Sequence, residues 1–134
     1  MSVSMNGGRP PKVGLLITYL REEEKLILAA ARQRGLKIVT MLDRALVLDA
    51  SAADASESGI DVDVVLDRCV AHLPAGYALK TFERWGIPTI NPASATAICD
   101  DKALTTIALE RAKVTTPRTM LAFSIEAAPP CSSR

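Results

Sequence analysis

The chain has 134 residues, enough for one compact domain or for a domain and part of a second. With 49% hydrophobic and 23% charged residues, it has the composition of a folded protein rather than a disordered one. A formal net charge of +1, with bases and acids interleaved, leaves no electrostatic footprint for nucleic acid or an anionic membrane, so neither is expected as a partner.

No apolar stretch approaches the roughly 20 residues that span a bilayer. Met1 to Pro11 lacks the apolar run of a signal peptide. Cys69, Cys99 and Cys131 lie far apart and form no C-x-x-C pair, so neither a zinc site nor a redox motif is indicated. A reducing, cytoplasmic setting is expected.

In chain order, residues 1–11 read as a disordered lead-in, given Asn6-Gly7-Gly8 and Pro10-Pro11. Val13 to Ile17 is a short continuous apolar run, the pattern of a strand buried on both faces of a parallel sheet. Arg21 to Arg34 reads as a helix, with Glu22, Glu23 and Glu24 in its first turn and Arg32 and Arg34 in its last, as the helix dipole favours. Leu26, Ile27, Ala30 and Ala31 supply its expected apolar face, the glutamates a solvated start, and Gly35 the stop.

Ile38 to Leu42 is a second expected strand, followed by a loop or irregular crossover over Ala50 to Gly59. Val62 to Leu66 is a third strand. Ala75 to Trp85 is a helix with Leu79, Phe82 and Trp85 on one side, closed by Gly86. Tyr77, Phe82 and Trp85 read as packing residues. Pro88 to Ile90 is a short fourth strand ending at Asn91-Pro92. Strands alternating with helices define an α/β fold, a small parallel sheet with flanking helices. From Asp100 the texture changes. Lys102 to Lys113 is a further helix with Leu104, Ile107, Ala108 and Ala112 as apolar positions, and Val114 to Thr119 an extended segment leading into Met120 to Phe123. The tail starts like a helix and is broken by Pro129-Pro130.

In an open parallel sheet, ligands bind beyond the carboxyl ends of the strands. Those ends carry Thr18 and Tyr19, Asp43 and Arg44, Asp67, Arg68 and His72, and Asn91. Polar strand ends are common to all such domains, so position alone is a weak signal. The turn after the first strand, Thr18-Tyr19-Leu20-Arg21, has none of the glycines of a dinucleotide fingerprint, and no G-x-x-x-x-G-K-[ST] loop exists. His72 is the only histidine, which reads as a loop residue rather than a catalyst. Lys102 falls in the first turn of its helix, where free N–H groups and an ammonium together suit a phosphate. By residue type alone, a surface lysine paired with Asp100 or Asp101 is the commoner arrangement.

Particular segments say more. Val13-Gly-Leu-Leu-Ile-Thr-Tyr-Leu-Arg-Glu-Glu-Glu-Lys-Leu-Ile27 and Asp61-Val-Asp-Val-Val-Leu-Asp-Arg-Cys69 resemble the LysX and RimK-like branch of the ATP-grasp ligases. Trp85-Gly-Ile-Pro-Thr-Ile-Asn-Pro92 matches the same family. Cys99-Asp-Asp-Lys-Ala-Leu-Thr-Thr106 and Thr116-Pro-Arg-Thr-Met-Leu-Ala-Phe123 are shared more broadly among ATP-grasp ligases. The resemblance runs from about Lys12 to Ile125.

It implies that residues 12–98 form the pre-ATP-grasp α/β domain and that 99–125 begin an ATP-grasp domain with its first helix and strand. Residues 126–134 then form an aberrant or truncated tail. It implies an ATP- and Mg2+-dependent ligase that converts a carboxylate to an acyl phosphate for attack by an amine. In the LysX branch the carboxylate is the C-terminal glutamate of the carrier protein LysW and the amine is α-aminoadipate, in lysine biosynthesis. The family's Asp-Lys pair falls on Asp101-Lys102, which assigns Lys102 to ATP. Asp67, Arg68, His72 and Asn91 are candidate substrate-side residues, and a homo-oligomer is common in related ligases. No residue is assigned to magnesium or to catalysis, and the chain alone is expected to be inactive. A RimK- or ArgX-like glutamate ligase, and a non-catalytic partner-binding α/β domain, are the alternatives. The family places glycine and proline where this chain has Lys113 and Thr115.

Overall fold

The computed structural model describes residues 9–128. Most of the expected lead-in, the end of the tail and Cys131 lie outside the described residues. The rest divides into two compact units, one ending at Thr96 and one beginning at Ala97.

The first unit is a four-stranded parallel sheet of order β2-β1-β3-β4, with β1 Lys12–Ile17, β2 Lys37–Leu42, β3 Val64–Arg68 and β4 Thr89–Ile90. Helix α1, Glu22–Gln33, connects β1 to β2, and α2, His72–Arg84, connects β3 to β4. The register pairs Leu16 with Asp67 and Ile17 with Arg68, so the members of each pair point to one face. Leu16, Met41 and Val65 pack with Ala78, Leu79 and Phe82 of α2 in the main core. Leu15 and Ile17 are also fully buried and, by strand alternation, face the opposite side, where α1 lies. Each fully buried side chain of this size stabilises the fold by about 1.5–3 kcal/mol.

The apolar runs made the strands legible, and β1, β2 and β4 match their expected limits to within a residue, whereas β3 runs two residues later than expected, so that Asp67 and Arg68 end the strand instead of following it. Gly14 is closely packed by side chains. A Cβ there would lie 2.7 Å from Met41 Cε and 3.3 Å from Val62 Cγ1. The β2–β3 crossover is irregular, as expected, with short 3-10 turns at Asp43–Ala45 and Ala55–Ser58. Asp54 caps the second through Ser56 N–H, and Gly59 closes it at φ 68°. Trp85 Nε1 donates to the Ala52 carbonyl at 3.1 Å, fastening this crossover to α2, while its ring meets Phe82 edge-on at 5.9 Å.

Three expectations are corrected. In α1, Leu26 is 70% exposed, whereas Glu24 is fully buried along with Ala31. The inward stripe is therefore turned by a residue or two, because arginines are available to satisfy a buried carboxylate. Helix α2 begins three residues earlier than expected, at His72, since Pro74 in a first turn loses no helical hydrogen bond. Tyr77 is 64% exposed rather than packed, with the Lys80 ammonium 6.0 Å from its ring centre.

A short helix, α3 Ala93–Cys99, was not anticipated. Its Ala-Ser-Ala-Thr-Ala composition carries no periodicity, and Pro92 at its start is the one available signal, its carbonyl accepting from Thr96 N–H at 3.0 Å. Glu83 of α2 also holds this start, accepting from Ala93 N–H at 2.7 Å and Thr89 Oγ1 at 2.6 Å.

In the second unit, α4 spans Lys102–Arg111 and buries no residue. It ends with Lys113 in the left-handed region at φ 56°. Lys113 N–H donates to Glu110 O and Val114 N–H to Leu109 O, both at 3.0 Å, the paired bonds of a left-handed helix end. The strand expected around residues 114–123 is not formed. The segment has no regular secondary structure and joins no ladder among the described residues.

Candidate functional site at the carboxyl edge of the sheet

The strand order reverses between β1 and β3: the chain leaves β1 toward β2 on one side and β3 toward β4 on the other. That switch point is where open parallel sheets bind ligands, outside the carboxyl ends of the strands. Thr18, Asp43, Arg68 and Cys69 all lie there.

The sheet separates this edge into two chemistries. On the α2 face, Thr18 Oγ1 donates to Asp43 Oδ2 at 2.6 Å and accepts from Val70 N–H at 3.0 Å, joining the ends of β1, β2 and β3. Asp67 Oδ1 accepts from Cys69 N–H at 2.9 Å. Burial, then the Asp67 and Asp43 charges, push the Cys69 thiol up to about 12, so it is not a nucleophile at neutral pH. Beside this cluster lies a cleft of about 310 Å³ between the segment after β2 and α2, lined by Leu16, Leu46, Pro74, Ala78 and Thr81, with Asp43 its only charged lining side chain.

On the α1 face, Glu24 is the centre. Its carboxylate is fully buried and receives Arg21 Nε at 2.9 Å, Arg21 Nη2 at 2.7 Å, Arg21 backbone N–H at 3.1 Å and Arg68 Nε at 3.1 Å. The Arg21 hydrogen bonds above all, then the Arg68 bond, overcome the cost of burial and hold the Glu24 carboxyl at about 2, below its ordinary 4.5. Arg21 also lies 5.8 Å from the Tyr19 ring centre.

Of the residues singled out by sequence, Asp67 and Arg68 are neighbours that point to opposite faces, so they do not act as one cluster. His72 opens α2, and Asn91 is exposed beyond the edge strand β4. Glu24 and Arg21 were missed as site residues. The signal was present in the Arg21-x-x-Glu24 spacing, which lets the Glu24 carboxylate reach back to the Arg21 N–H, but the three-glutamate run disguised it.

Lys102 lies in the second unit, exposed in the first turn of α4. Asp101 Oδ1 accepts from Ala103 N–H at 2.8 Å and Leu104 N–H at 2.9 Å. The helix-end donors that would cradle a phosphate are thus occupied by a carboxylate. Only the Lys102 ammonium fits a polyphosphate, as a point charge. Among the described residues no group of three or more His, Cys, Asp or Glu is placed to hold a metal ion, so they do not fit a magnesium site. No described helix is long and apolar enough to cross a membrane.

A doubly covered parallel sheet with a polar switch-point edge and no glycine-rich phosphate loop defines a pre-ATP-grasp type of α/β domain. Residues 13–98 match the family described as the LysX preATP-grasp domain, and the chain belongs to that family, a branch of the ATP-grasp ligases. It is 30% identical over 116 residues to the α-aminoadipate–LysW ligase LysX of Sulfurisphaera tokodaii, covering 87% of this chain and 40% of that one. The glutamate–LysW ligase ArgX of Sulfolobus acidocaldarius is 29% identical over 119 residues, with the same coverage of 87% and 40%. The crystal structure of a RimK domain ATP-grasp protein from Sphaerobacter thermophilus superposes with a TM-score of 0.73 at 28% identity, covering 87% of this chain and 43% of that one. The chain thus spans about two fifths of the length of the curated relatives it matches.

Proposed function

We propose that this chain supplies the amino-terminal part of a ligase that joins α-aminoadipate to the C-terminal glutamate of a LysW-type carrier protein through an acyl phosphate. Residues 12–98 are the pre-ATP-grasp domain and 99–125 begin the ATP-binding domain. Within it Lys102 neutralises charge on ATP, the chief contribution a protein makes to phosphoryl transfer. Asp67, Arg68, His72 and Asn91 belong to the substrate side. The observation that carries the reading is the match over residues 13–98 to the LysX domain, joined to a switch-point edge rich in charged side chains. ATP and magnesium are the expected cofactors.

The test is a chimaera in which residues 13–98 replace the corresponding domain of Sulfurisphaera tokodaii LysX. With ATP, magnesium, LysW and α-aminoadipate, mass spectrometry should detect the conjugate. A folded chimaera that forms none contradicts the proposal. The 134-residue chain alone should form none.

The matches to ArgX, at 29% identity against 30% for LysX, keep glutamate as a second amine substrate. Supplying both amino acids in equal amounts decides between them.

A further inference from the structure

We infer that Arg68, held by the buried carboxylate of Glu24, is a carboxylate-binding fork on the α1 side of the sheet's carboxyl edge. Its ligand is a free carboxylate of one of the two substrates. This deepens the ligase reading and rests on it for the identity of those substrates, though not for the chemistry of the site.

Arg68 is the last residue of β3 and pairs in register with Ile17, the last residue of β1. These two strands flank the reversal of strand order, where ligands approach an open parallel sheet.

Glu24 is shared unequally. Arg21 takes the carboxylate in a two-pronged grip, through Nε on one oxygen at 2.9 Å and Nη2 on the other at 2.7 Å. Arg68 contributes a single bond, from Nε at 3.1 Å. Two guanidinium groups share the one buried negative charge of Glu24, and Arg21 has the larger part of it. Glu23, 3.9 Å from Arg21, also falls to that arginine and is 62% exposed.

A guanidinium presents five N–H donors in a rigid plane. In Arg68, Nε is committed to Glu24, which restrains the plane, and among the described residues Nη1 and Nη2 donate to no acceptor. The side chain is 37% exposed. A pair of parallel N–H donors on a cationic plane matches the two oxygens of a carboxylate. Glu24 acts through Arg68 as a positioning residue. The acids of the same edge, Asp43 and Asp67, lie on the α2 face, so the sheet keeps them from the fork.

The experiment is a titration of the isotopically labelled 134-residue chain, following the Arg side-chain Nε–Hε resonances by NMR. The Arg68 signal is assigned by its loss in Arg68→Lys. Three probes are added at matched ionic strength: glutamate, an acetylated pentapeptide ending in a free glutamate, and glutaramide, which is uncharged. Saturable movement of the Arg68 signal with glutamate or with the peptide, and none with glutaramide, is the expected result. Glutamate alone assigns the fork to the amine substrate, and the peptide alone to the carrier terminus. In Arg68→Lys, followed through backbone amides of β3, the dissociation constant should rise about tenfold, because an ammonium cannot reproduce the fork. An Arg68 resonance that is still, or that moves equally with glutaramide, overturns the inference. Because no ATP is present, that failure leaves the conjugate-forming test untouched. Loss of conjugate with carboxylate binding intact condemns the ligase reading alone.

Discussion

Glu24 and Arg68 stand 44 positions apart in sequence and are joined by a 3.1 Å hydrogen bond from Nε to a fully buried carboxylate oxygen. The bond ties the first turn of α1 to the carboxyl end of β3. A buried carboxylate is costly unless ionic partners satisfy it, and here two arginines do so.

That arrangement makes stability depend on pH in a defined direction. The Glu24 carboxyl titrates at about 2 in the folded chain against an ordinary 4.5. Its contribution is complete above pH 4.5 and is lost as the pH falls through the window down to about 2. Melting temperatures by circular dichroism between pH 7 and pH 2 should therefore fall in the wild type. In Glu24→Gln the melting temperature should be lower at pH 7 and its decline over this window shallower. Parallel curves for the two proteins count against the assignment.

Phe82 is fully buried between the sheet and α2 and meets Trp85 edge-on. Phe82→Ala should cost about 3–5 kcal/mol in urea unfolding, as deletion of a buried ring does. A loss below about 1 kcal/mol would show that α2 is not seated on the sheet as described.

Lys113 adopts φ 56° at the end of α4. Lys113→Gly should stabilise that helix end by about 1 kcal/mol, because glycine alone has no steric penalty there. Lys113→Ala should give no such gain. Amide hydrogen exchange over residues 105–113 reads the difference directly.

Cys69 has its thiol pushed up to about 12, whereas Cys99 is exposed. Limited treatment with iodoacetamide at pH 8 should modify Cys99 and spare Cys69, as peptide mass mapping would show. Equal labelling of the two would deny the acidic, half-buried setting of Cys69.

Lys102→Ala, placed in the catalytically competent chimaera extended to residue 125, should raise the apparent KM for ATP about tenfold, the effect of losing one charge-assisted contact. The α4 start should be unaffected, because Asp101 caps it. Unchanged ATP kinetics would return Lys102 to an ordinary surface lysine.

Much of the fold was legible in the residues alone. Continuous apolar runs such as Val13 to Ile17 and helix stops at Gly35 and Gly86 act locally, and local rules suffice to read them. The family was legible too, because its motifs are strings of adjacent residues. Helix α3 was not, since a seven-residue run of mostly small residues carries no period and Glu83 fixes its start from another helix.

The site divides the same way. By itself the sequence determined that polar residues gather at the strand ends and that Asp67, Arg68 and Asn91 are among them. Only the tertiary structure decided which of them share a face. Alternation in β3 sends Asp67 toward α2 and Arg68 toward α1, and the register with β1 sets Arg68 beside Glu24. The three glutamates of α1 look alike in the chain. The packing of the helix on the sheet buries one of them, and burial turns a solvated charge into an ionic anchor, because water no longer screens it from its partners.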